Sequence, residues 1–203
     1  MVREAIKNKK IIAAFDFDGT ITKYDTLPYF IYFALSYPKL IASTLKMLPS
    51  LVLFKLKVIT NNVAKERLFR IFFKGFSEEK FKFIANHFTQ NIAKIVRTEA
   101  IEKIKWHQKM GHEVIIISAS VEIWIKPWAM DQGIETVLGT KLETINGKLT
   151  GNFTTNNCYG QEKVNRLLEN YPNRETYTLY AYGDSNGDKN LLELADHAFY
   201  RTF

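Results

Sequence analysis

The sequence contains little cysteine, proline or glycine. Cys158 is its only cysteine among 203 residues, so no disulfide can form within the chain, which fits a reducing cytoplasm. Proline occurs five times and glycine ten times, and we find no low-complexity linker and no internal repeat. Hydrophobic residues at 46% and charged residues at 24% are ordinary for a globular protein. The composition therefore excludes a disulfide-stabilised scaffold and a disordered chain.

Long hydrophobic runs are also missing. The longest, 27–38 and 47–54, are interrupted by proline or lysine and fall short of the ~20 residues that a transmembrane helix requires. The basic N-terminus precedes a short apolar run, Ile11–Phe15, so we expect no signal peptide. We predict a cytoplasmic protein and leave open peripheral contact with the inner face of the membrane.

The net charge of +7 is concentrated in one part of the chain. Residues 23–94 carry twelve Lys or Arg and four Asp or Glu, a net of +8, so the remainder is close to neutral. The same stretch is rich in Leu, Phe and Ile at helical spacings, and Ser77 followed by Glu78 and Glu79 is typical of a helix start. We therefore predict an all-helical, basic cap over 23–94.

Outside the cap, short apolar runs alternate with helical patterns. Strands are predicted at 10–15, 113–118, 135–138, 177–182 and 197–200, and helices at 98–110, 121–132, 161–170 and 189–195. The segment Lys141–Phe153 alternates around Asn146-Gly147, which predicts a small β-hairpin. This order predicts an α/β core, 1–22 and 95–203, with a parallel sheet between two helical layers.

Four short segments are predicted where strands end or the following helices begin. They provide Asp16, Asp18, Gly19 and Thr20, then Ser118, then Lys163, and finally Asp184 with Asp188. Ligands bind at this edge of an α/β sheet, and a cap inserted after the first strand would overhang it. Each segment alone has an ordinary explanation, such as a turn, a helix cap or a solvated lysine. Their combination indicates one shared site.

The residue types in these segments suit the chemistry of a phosphate monoester, which requires nearby positive charge and a nucleophile held in line. Asp16 and Asp18 can divide the work, one attacking phosphorus and the other protonating the leaving alkoxide and then activating water. Asp184 can join Asp16 around Mg²⁺, which prefers oxygen ligands. Lys163 would contribute a charge and Ser118 a hydroxyl to the phosphate.

The four segments closely resemble the motifs of the haloacid dehalogenase superfamily, in the expected order. The resemblance implies a Rossmann-like three-layer core, with Asp16 as nucleophile and Asp18 as general acid and base. It also implies Mg²⁺ bound by Asp16, the main-chain carbonyl of Asp18, and Asp184, with Asp188 orienting Asp184. In this superfamily an aspartate at position 18 favours a phosphatase or a phosphomutase over a dehalogenase or an ion pump, and a phosphomutase usually has a smaller cap, so we predict a phosphatase.

A helical cap at this place is similar to the phosphoserine phosphatase branch of the superfamily. The segments around Ser118, Leu138, Gly147 and Cys158 look like a subgroup that includes phosphatidylglycerophosphatase C. Three features matter for phosphoserine: the glutamate that reads its amino group in that branch falls at Asp25, the carboxylate-binding arginine of the cap corresponds to either Arg67 or Arg70, and Gly187 replaces the usual asparagine before the last motif aspartate. The candidate substrate-binding residues are Asp25, Arg67, Arg70, Ser120 and Tyr159.

The cap has more apolar side chains than a small lid requires, with lysines interspersed at Lys39, Lys46, Lys55 and Lys57. Three explanations stay open: a cap core with a solvated basic face, a homodimer interface, or docking on an anionic membrane. No recognition motif accompanies the basic charge, so we expect no nucleic-acid partner.

The sequence thus predicts a Mg²⁺-dependent phosphatase that acts through an aspartyl-phosphate. Its substrate is predicted to be a phospholipid headgroup phosphate such as phosphatidylglycerophosphate or, alternatively, a soluble metabolite such as phosphoserine or a sugar phosphate. A phosphate-binding protein without turnover is the third alternative, and the pair Asp16 and Asp18 argues against it. The four histidines lack metal-ligand spacing, and we predict no catalytic role for them.

Overall fold

The computed structural model describes residues 9–203, so the first eight residues of the predicted core segment 1–22 lie outside the described part. Its strands are β1 (Lys10–Phe15), β2 (Glu113–Val121), β3 (Thr136–Thr140), β4 (Leu142–Ile145), β5 (Lys148–Phe153), β6 (Tyr177–Gly183) and β7 (His197–Tyr200). A five-stranded sheet runs in the order β3-β2-β1-β6-β7, and every pairing in it is parallel. Strands β4 and β5 form the antiparallel hairpin.

The helices complete the architecture. They are α1 (Thr26–Ala34), α2 (Tyr37–Lys55), α3 (Asn61–Phe73), α4 (Glu78–Ala93), α5 (Thr98–Lys109), α6 (Glu122–Asp131), α7 (Gln161–Asn170) and α8 (Lys189–Leu194). Each predicted strand and helix of the core is present, with ends that differ from the prediction by no more than three residues. No helix in residues 9–203 is both long and apolar enough to cross a bilayer.

Side chains of the sheet alternate between two hydrophobic cores, as the period of a strand requires. In β1, Ala13 and Phe15 face the core that contains α5 and α6, whereas Ile12 and Ala14 face the core that contains α7 and α8. Because both faces are covered, these strands are apolar throughout. The predicted Rossmann-like, three-layer α/β fold is confirmed.

The register brings three strand ends to one edge of the sheet. Strand β1 lies between β2 and β6, with Phe15 opposite both Ile116 and Tyr182. The residues that follow these positions therefore emerge side by side. This edge carries the motif residues that the sequence singled out.

Helices α1–α4 lie between β1 and α5 in the chain. The segments that lead into and out of them run side by side, since Lys23 N–H donates to the Ile95 carbonyl (2.7 Å) and Arg97 N–H to the Ile21 carbonyl (2.8 Å). The boundaries at 22/23 and 94/95 stay predictions, and we use "cap" for residues 23–94.

The cap also contacts the core through the hairpin and through α6. The β4–β5 hairpin bonds the connection between α3 and α4, through Gly75 N–H to the Leu149 carbonyl (2.8 Å) and Leu149 N–H to the Phe76 carbonyl (2.9 Å). In addition, Trp124 of α6 stacks on Phe30 of α1, with ring centroids 4.5 Å apart. The cap and one face of the sheet therefore share a single hydrophobic core.

Candidate active site

The turn after β1 positions the first motif. Asp16 N–H donates to the Tyr182 carbonyl (2.9 Å), which fixes the end of β1 beside β6. Gly19 then adopts φ +83°, and a Cβ there would stand only 2.5–2.8 Å from the carboxylate of Asp184. Thr20 Oγ1 donates to Asp184 Oδ1 (3.1 Å). Glycine at position 19 is therefore required both by backbone conformation and by the close approach of Asp184.

Lys163 lies beneath the edge, in the first turn of α7, with its side chain only 2% exposed. Its Nζ donates to Asp16 Oδ1 (2.6 Å) and to Asp188 Oδ1 (2.5 Å). Burial disfavours the charge of Lys163, but the two carboxylates outweigh burial and raise its pKa. Burial also raises the pKa of Asp16 to about 7, although Lys163 opposes that shift. Asp16, Lys163 and Asp188 thus form a buried ion cluster, in which loss of one member would leave an uncompensated charge.

Asp188 organises the loop that carries Asp184. Its Oδ2 accepts from the backbone N–H groups of Asp184 (3.2 Å) and Ser185 (2.9 Å) and from the Ser185 hydroxyl (2.8 Å). Burial opposes ionisation of Asp188, but Lys163 and these donors lower its pKa. Asp188 therefore stays charged and holds both Lys163 and the Asp184 loop in place.

Asp18 points away from this cluster, toward the cap. Its Oδ1 accepts from Thr26 N–H (2.8 Å) and Thr26 Oγ1 (2.7 Å), and its Oδ2 accepts a very short bond from Ser120 Oγ. Burial and the nearby Asp25 raise the pKa of Asp18. A raised pKa shifts Asp18 toward the protonated form, which is the form that a general acid uses.

Ser118 stands at the same edge, at the end of the apolar part of β2. Its side chain is 1% exposed, and its Oγ accepts from Ser120 N–H (3.0 Å). The hydroxyl proton of Ser118 remains free to donate into the cleft.

The acidic residues fit a divalent cation. Asp16, Asp184 and Asp188 each offer a carboxylate oxygen, and these oxygens lie within 4.8 Å of one another. Lys163 is the ammonium bonded to this cluster, so one positive charge faces three negative ones. A Mg²⁺ ion prefers hard oxygen ligands and would offset the excess. Asp16 and Asp184 are suited to direct ligation, with Asp188 behind them.

A cleft of about 490 Å³ opens above these groups, between the sheet edge and helices α2 and α3 of the cap. The predicted residues that line it are Asp16, Asp18, Gly19, Asp25, Ser118, Ser120, Tyr159, Lys163 and Asp184. The ring of Tyr159 lies where a Cβ at Gly187 would stand, only 2.6 Å from such an atom. Glycine at position 187 therefore makes room for Tyr159 at the cleft.

The candidate substrate-binding residues separate into two groups. Asp25 lines the cleft but also accepts from Leu27 N–H (2.8 Å) as the N-cap of α1, and Ser120 is held by Asp18. Arg67 and Arg70 are not among the described residues that line the cleft. Arg70 instead turns to the hairpin, donating to Asn152 Oδ1 (2.6 Å).

Besides Lys23, which also lines the cleft, sequence reasoning missed the cap cation Lys65. Its Nζ donates to the Ala119 carbonyl (2.6 Å) and to Asn157 Oδ1 (3.2 Å), inside the cleft and next to the serine motif. Burial lowers its pKa. Asn61, Ala64, Lys65 and Leu68 share one face of α3 at helical spacing and all line the cleft, but the sequence alone does not show which face of α3 meets the cleft.

Two of the four histidines lie together in the structure. His107 and His112, which look unrelated in the sequence, meet with their Nδ1 atoms 2.8 Å apart because α5 ends between them. His107 Nε2 lies 2.9 Å from the Tyr182 hydroxyl. Burial and the neighbouring His112 lower the pKa of His107 to about 4. This cluster packs behind β1, away from the cleft lining.

Comparison of sequences identifies relatives of the whole chain. The sequence profile of the haloacid dehalogenase-like hydrolases matches residues 13–193. Protein CicA from Caulobacter vibrioides (strain NA1000 / CB15N) is 30% identical over 200 residues, which span 97% of this chain and 88% of CicA. Both matches include the cap as well as the core.

Comparison of structures gives the same fold. A protein of unknown function from Bordetella pertussis Tohama I matches with a TM-score of 0.77 at 18% identity, over 91% of this chain and 86% of that chain. A substrate-bound phosphoserine phosphatase matches with a TM-score of 0.60 at 19% identity, over 93% and 84%. At such identities the likeness shows the fold alone. The resemblance to the phosphatidylglycerophosphatase C subgroup stays a prediction.

Proposed function

This chain belongs to the haloacid dehalogenase-like hydrolases, and we propose that it is a Mg²⁺-dependent phosphatase that cleaves a phosphate monoester through an aspartyl-phosphate on Asp16. The observation that carries the proposal is that two carboxylates at the sheet edge have separate bonding partners. Asp16 lies within an ion cluster with Lys163 (2.6 Å), whereas Asp18 is held separately by Thr26 and Ser120. One carboxylate is therefore set apart for attack and the other for proton transfer.

The proposed reaction has two displacements at phosphorus. In the first, the Asp16 carboxylate attacks phosphorus, the bond to the leaving oxygen breaks, and Asp18 gives that oxygen its proton. In the second, Asp18 takes a proton from water, the resulting hydroxide attacks phosphorus, and Asp16 is released with inorganic phosphate. Lys163 and the Ser118 hydroxyl hold the phosphoryl oxygens throughout. When bound, Mg²⁺ would supply charge that favours the ionised form of Asp16 and offsets that of the phosphate.

A simple assay tests this chemistry. We expect the protein to hydrolyse an aryl phosphate with Mg²⁺ and to lose that activity with EDTA. Asp16→Asn keeps the shape of the side chain but removes the nucleophile, so its activity should fall to background. Asp131→Asn, an exposed position on α6, is the matched control. Hydrolysis that survives in Asp16→Asn at the wild-type rate would contradict the mechanism.

The cleft favours a substrate with an apolar part. Its cap wall is formed by the apolar side chains of Leu27, Met47, Leu51, Phe54 and Leu68, and Lys65 reaches into it from α3. We therefore propose an amphiphilic phosphomonoester, such as a phospholipid headgroup phosphate, and a place of action in the cytoplasm. The second candidate, a soluble metabolite such as phosphoserine, is supported by the shared fold with phosphoserine phosphatase.

Kinetics with paired substrates separates these candidates. Lipid phosphomonoesters in mixed micelles, phosphoserine, a sugar phosphate and an aryl phosphate would be compared on one preparation. We expect kcat/KM to be highest for the lipid. Leu51→Ser should lower the ratio of lipid to aryl phosphate kcat/KM by about tenfold, because it removes apolar contact with the chain. Faster turnover of phosphoserine than of any lipid phosphate would favour the soluble substrate.

A further inference from the structure

Helix α2 buries two serines and exposes several aliphatic side chains, the reverse of the usual arrangement. Its buried residues are Ser43, Met47 and Ser50. Its opposite side carries a row of exposed apolar side chains at spacings of four and three residues, which is one face of a helix. We call this row the docking face, and it consists of Ile41 (45% exposed), Leu45 (62%), Leu48 (49%) and Val52 (56%).

An exposed apolar row of this kind costs solubility, and here it serves no packing within the described chain. The buried serines occupy the side that a water-soluble helix normally fills with leucine. The arrangement is therefore explained by something that covers the docking face from outside.

The charge around the docking face points to an anionic cover. The sequence has no acidic residue between Asp25 and Glu66. Within that stretch Lys46, Lys55 and Lys57 are exposed, with Lys55 on the same side of α2 as Leu48 and Val52, Lys46 on the flank of the helix and Lys57 just beyond its end. Lys39 does not share this role, because its Nζ lies 4.0 Å from the centre of the Phe76 ring.

Exposed tyrosines extend the same surface. Tyr32 is 73% exposed and Tyr37 is 72% exposed, in α1 and at the start of α2. Tyrosine has an apolar ring and a polar hydroxyl, and it is enriched where lipid headgroups meet acyl chains. Leucine, lysine and tyrosine together are the composition of helices that lie in a lipid interface.

We propose that the docking face of α2 lies on an anionic lipid surface, with its leucines among the acyl chains and Lys46, Lys55 and Lys57 among the headgroup phosphates. A second copy of the chain fits less well. A two-fold interface would bring each docking face, with its lysines and no carboxylates, against an equally basic partner. A lipid surface supplies the opposite charge.

The docking face is continuous with the active-site cleft. Met47, Leu51 and Phe54 of the same helix line the cleft, and Leu51 is itself 46% exposed. Docking would bring the cleft next to the lipid headgroups. The proposal thereby names the partner surface of the proposed phosphatase, while docking itself does not depend on the chemistry.

Sedimentation with vesicles tests the proposal. The full chain would be mixed with vesicles of phosphatidylcholine, with and without phosphatidylglycerol, at increasing salt. We expect binding to the anionic vesicles that weakens as salt screens the lysines. Lys46→Gln with Lys55→Gln should reduce the partition coefficient by about fivefold for each lysine. Leu45→Ser with Val52→Ser should reduce it by about tenfold or more.

The control carries the same kinds of change outside the cap. Met130 is 72% exposed and Lys105 is exposed, so Met130→Ser with Lys105→Gln should bind vesicles as the wild type does. None of these variants lines the cleft, so aryl phosphate hydrolysis should stay at the wild-type rate in all of them. That assay reports on the phosphatase separately from docking.

Three results would overturn the proposal. The first is no binding of the wild type to anionic vesicles at low salt, and the second is equal binding by the docking-face variants and the control. The third is a dimer in sedimentation velocity that Leu45→Ser with Val52→Ser dissociates, which would assign the face to a second copy.

Discussion

The sheet edge buries charged side chains, whereas helix α2 exposes apolar ones. At the edge, Asp16, Asp188 and Lys163 are buried, and Lys163 bonds both carboxylates. On α2, leucines face outward while Ser43 and Ser50 are buried. Burying charge and exposing leucine are both unfavourable in isolation. Each arrangement departs from what stability alone requires, and such departures occur where a protein binds something.

The sheet edge also depends on the cap, because Trp124 of α6 connects the core to α1 of the cap. Its ring stacks on Phe30 (4.5 Å) in the cap, and its Nε1 donates to Thr26 Oγ1 (3.2 Å). Thr26 in turn holds Asp18. The position of Asp18, the proposed general acid, therefore depends on how the cap packs against the core.

The largest expected effect concerns the core alone. Asp18→Asn keeps an acceptor for Thr26 but cannot transfer a proton, so we expect kcat to fall by about 10²–10⁴-fold. Thermal unfolding should stay close to that of the wild type. Steady-state kinetics with an aryl phosphate measures the loss, with Asp131→Asn as control. Retained activity would remove Asp18 from the reaction.

The next effect concerns the connection between the core and α1 of the cap. Trp124→Ala removes a fully buried ring and should cost about 3–5 kcal/mol in the free energy of unfolding. Amide exchange in α1 should accelerate in this variant, because Phe30 loses its stacking partner. Trp128 is also buried but contacts Phe17 at 5.3 Å, so Trp128→Ala is the matched control. Equal acceleration in α1 by both variants would show that Trp124 is not the anchor.

A smaller effect concerns recognition by the cap. Lys65 bonds two uncharged oxygens in the cleft, so we expect it to bind a second anionic group on the substrate. Lys65→Gln should lower kcat/KM by about 10–100-fold for substrates that carry such a group, since bonds to charged groups contribute about 1.5–3 kcal/mol. Aryl phosphate should be affected far less. Lys74→Gln, at the exposed end of the same helix, should change neither. An equal loss on both substrates would make Lys65 a structural residue.

The smallest effect tests the histidine cluster behind the sheet. The pKa of His107 is lowered to about 4 by burial, by His112 and by Lys103, so the folded protein keeps it neutral. In the unfolded chain His107 binds a proton near the ordinary pKa of imidazole. The contribution of neutral His107 to the free energy of unfolding is therefore complete above that pKa and is lost as the pH falls below it. Between pH 7.5 and 5 it should amount to about 2 kcal/mol.

Urea unfolding at both pH values measures this change. The variant His107→Gln should lose that part of the pH dependence, whereas His87→Gln, on the exposed side of α4, should keep it. Identical pH dependence in His107→Gln and in the wild type would contradict the lowered pKa.

Sequence reasoning succeeded where the pattern is local. Apolar runs and glycine positions predicted the core strands and helices, because burial on both faces of a sheet leaves a continuous signal. The placement of Asp16, Lys163 and Asp184 at one edge followed from their positions at the ends of predicted strands and the start of a predicted helix. The cap was harder, since contacts between its helices and the core join residues far apart in the sequence.

Three features of the site needed coordinates. Lys65 resembles the other cap lysines until the face of α3 is known. Tyr159 and Gly187 explain each other only when the ring is seen in the space that a Cβ at 187 would require. The inversion of α2 could not be predicted either, because a row of leucines shows which face is apolar but not whether that face is buried.

The central claim is that Asp16 carries the phosphoryl group. In Asp18→Asn, breakdown of the intermediate should be slow, and Asp16 is the only carboxylate left in the first motif. Mixing this variant with Mg²⁺ and an aryl phosphate, quenching in acid and mapping peptides by mass spectrometry should show one phosphoryl group at Asp16, released by hydroxylamine. A chain without added phosphoryl, or with it on Ser118 instead, would contradict the account.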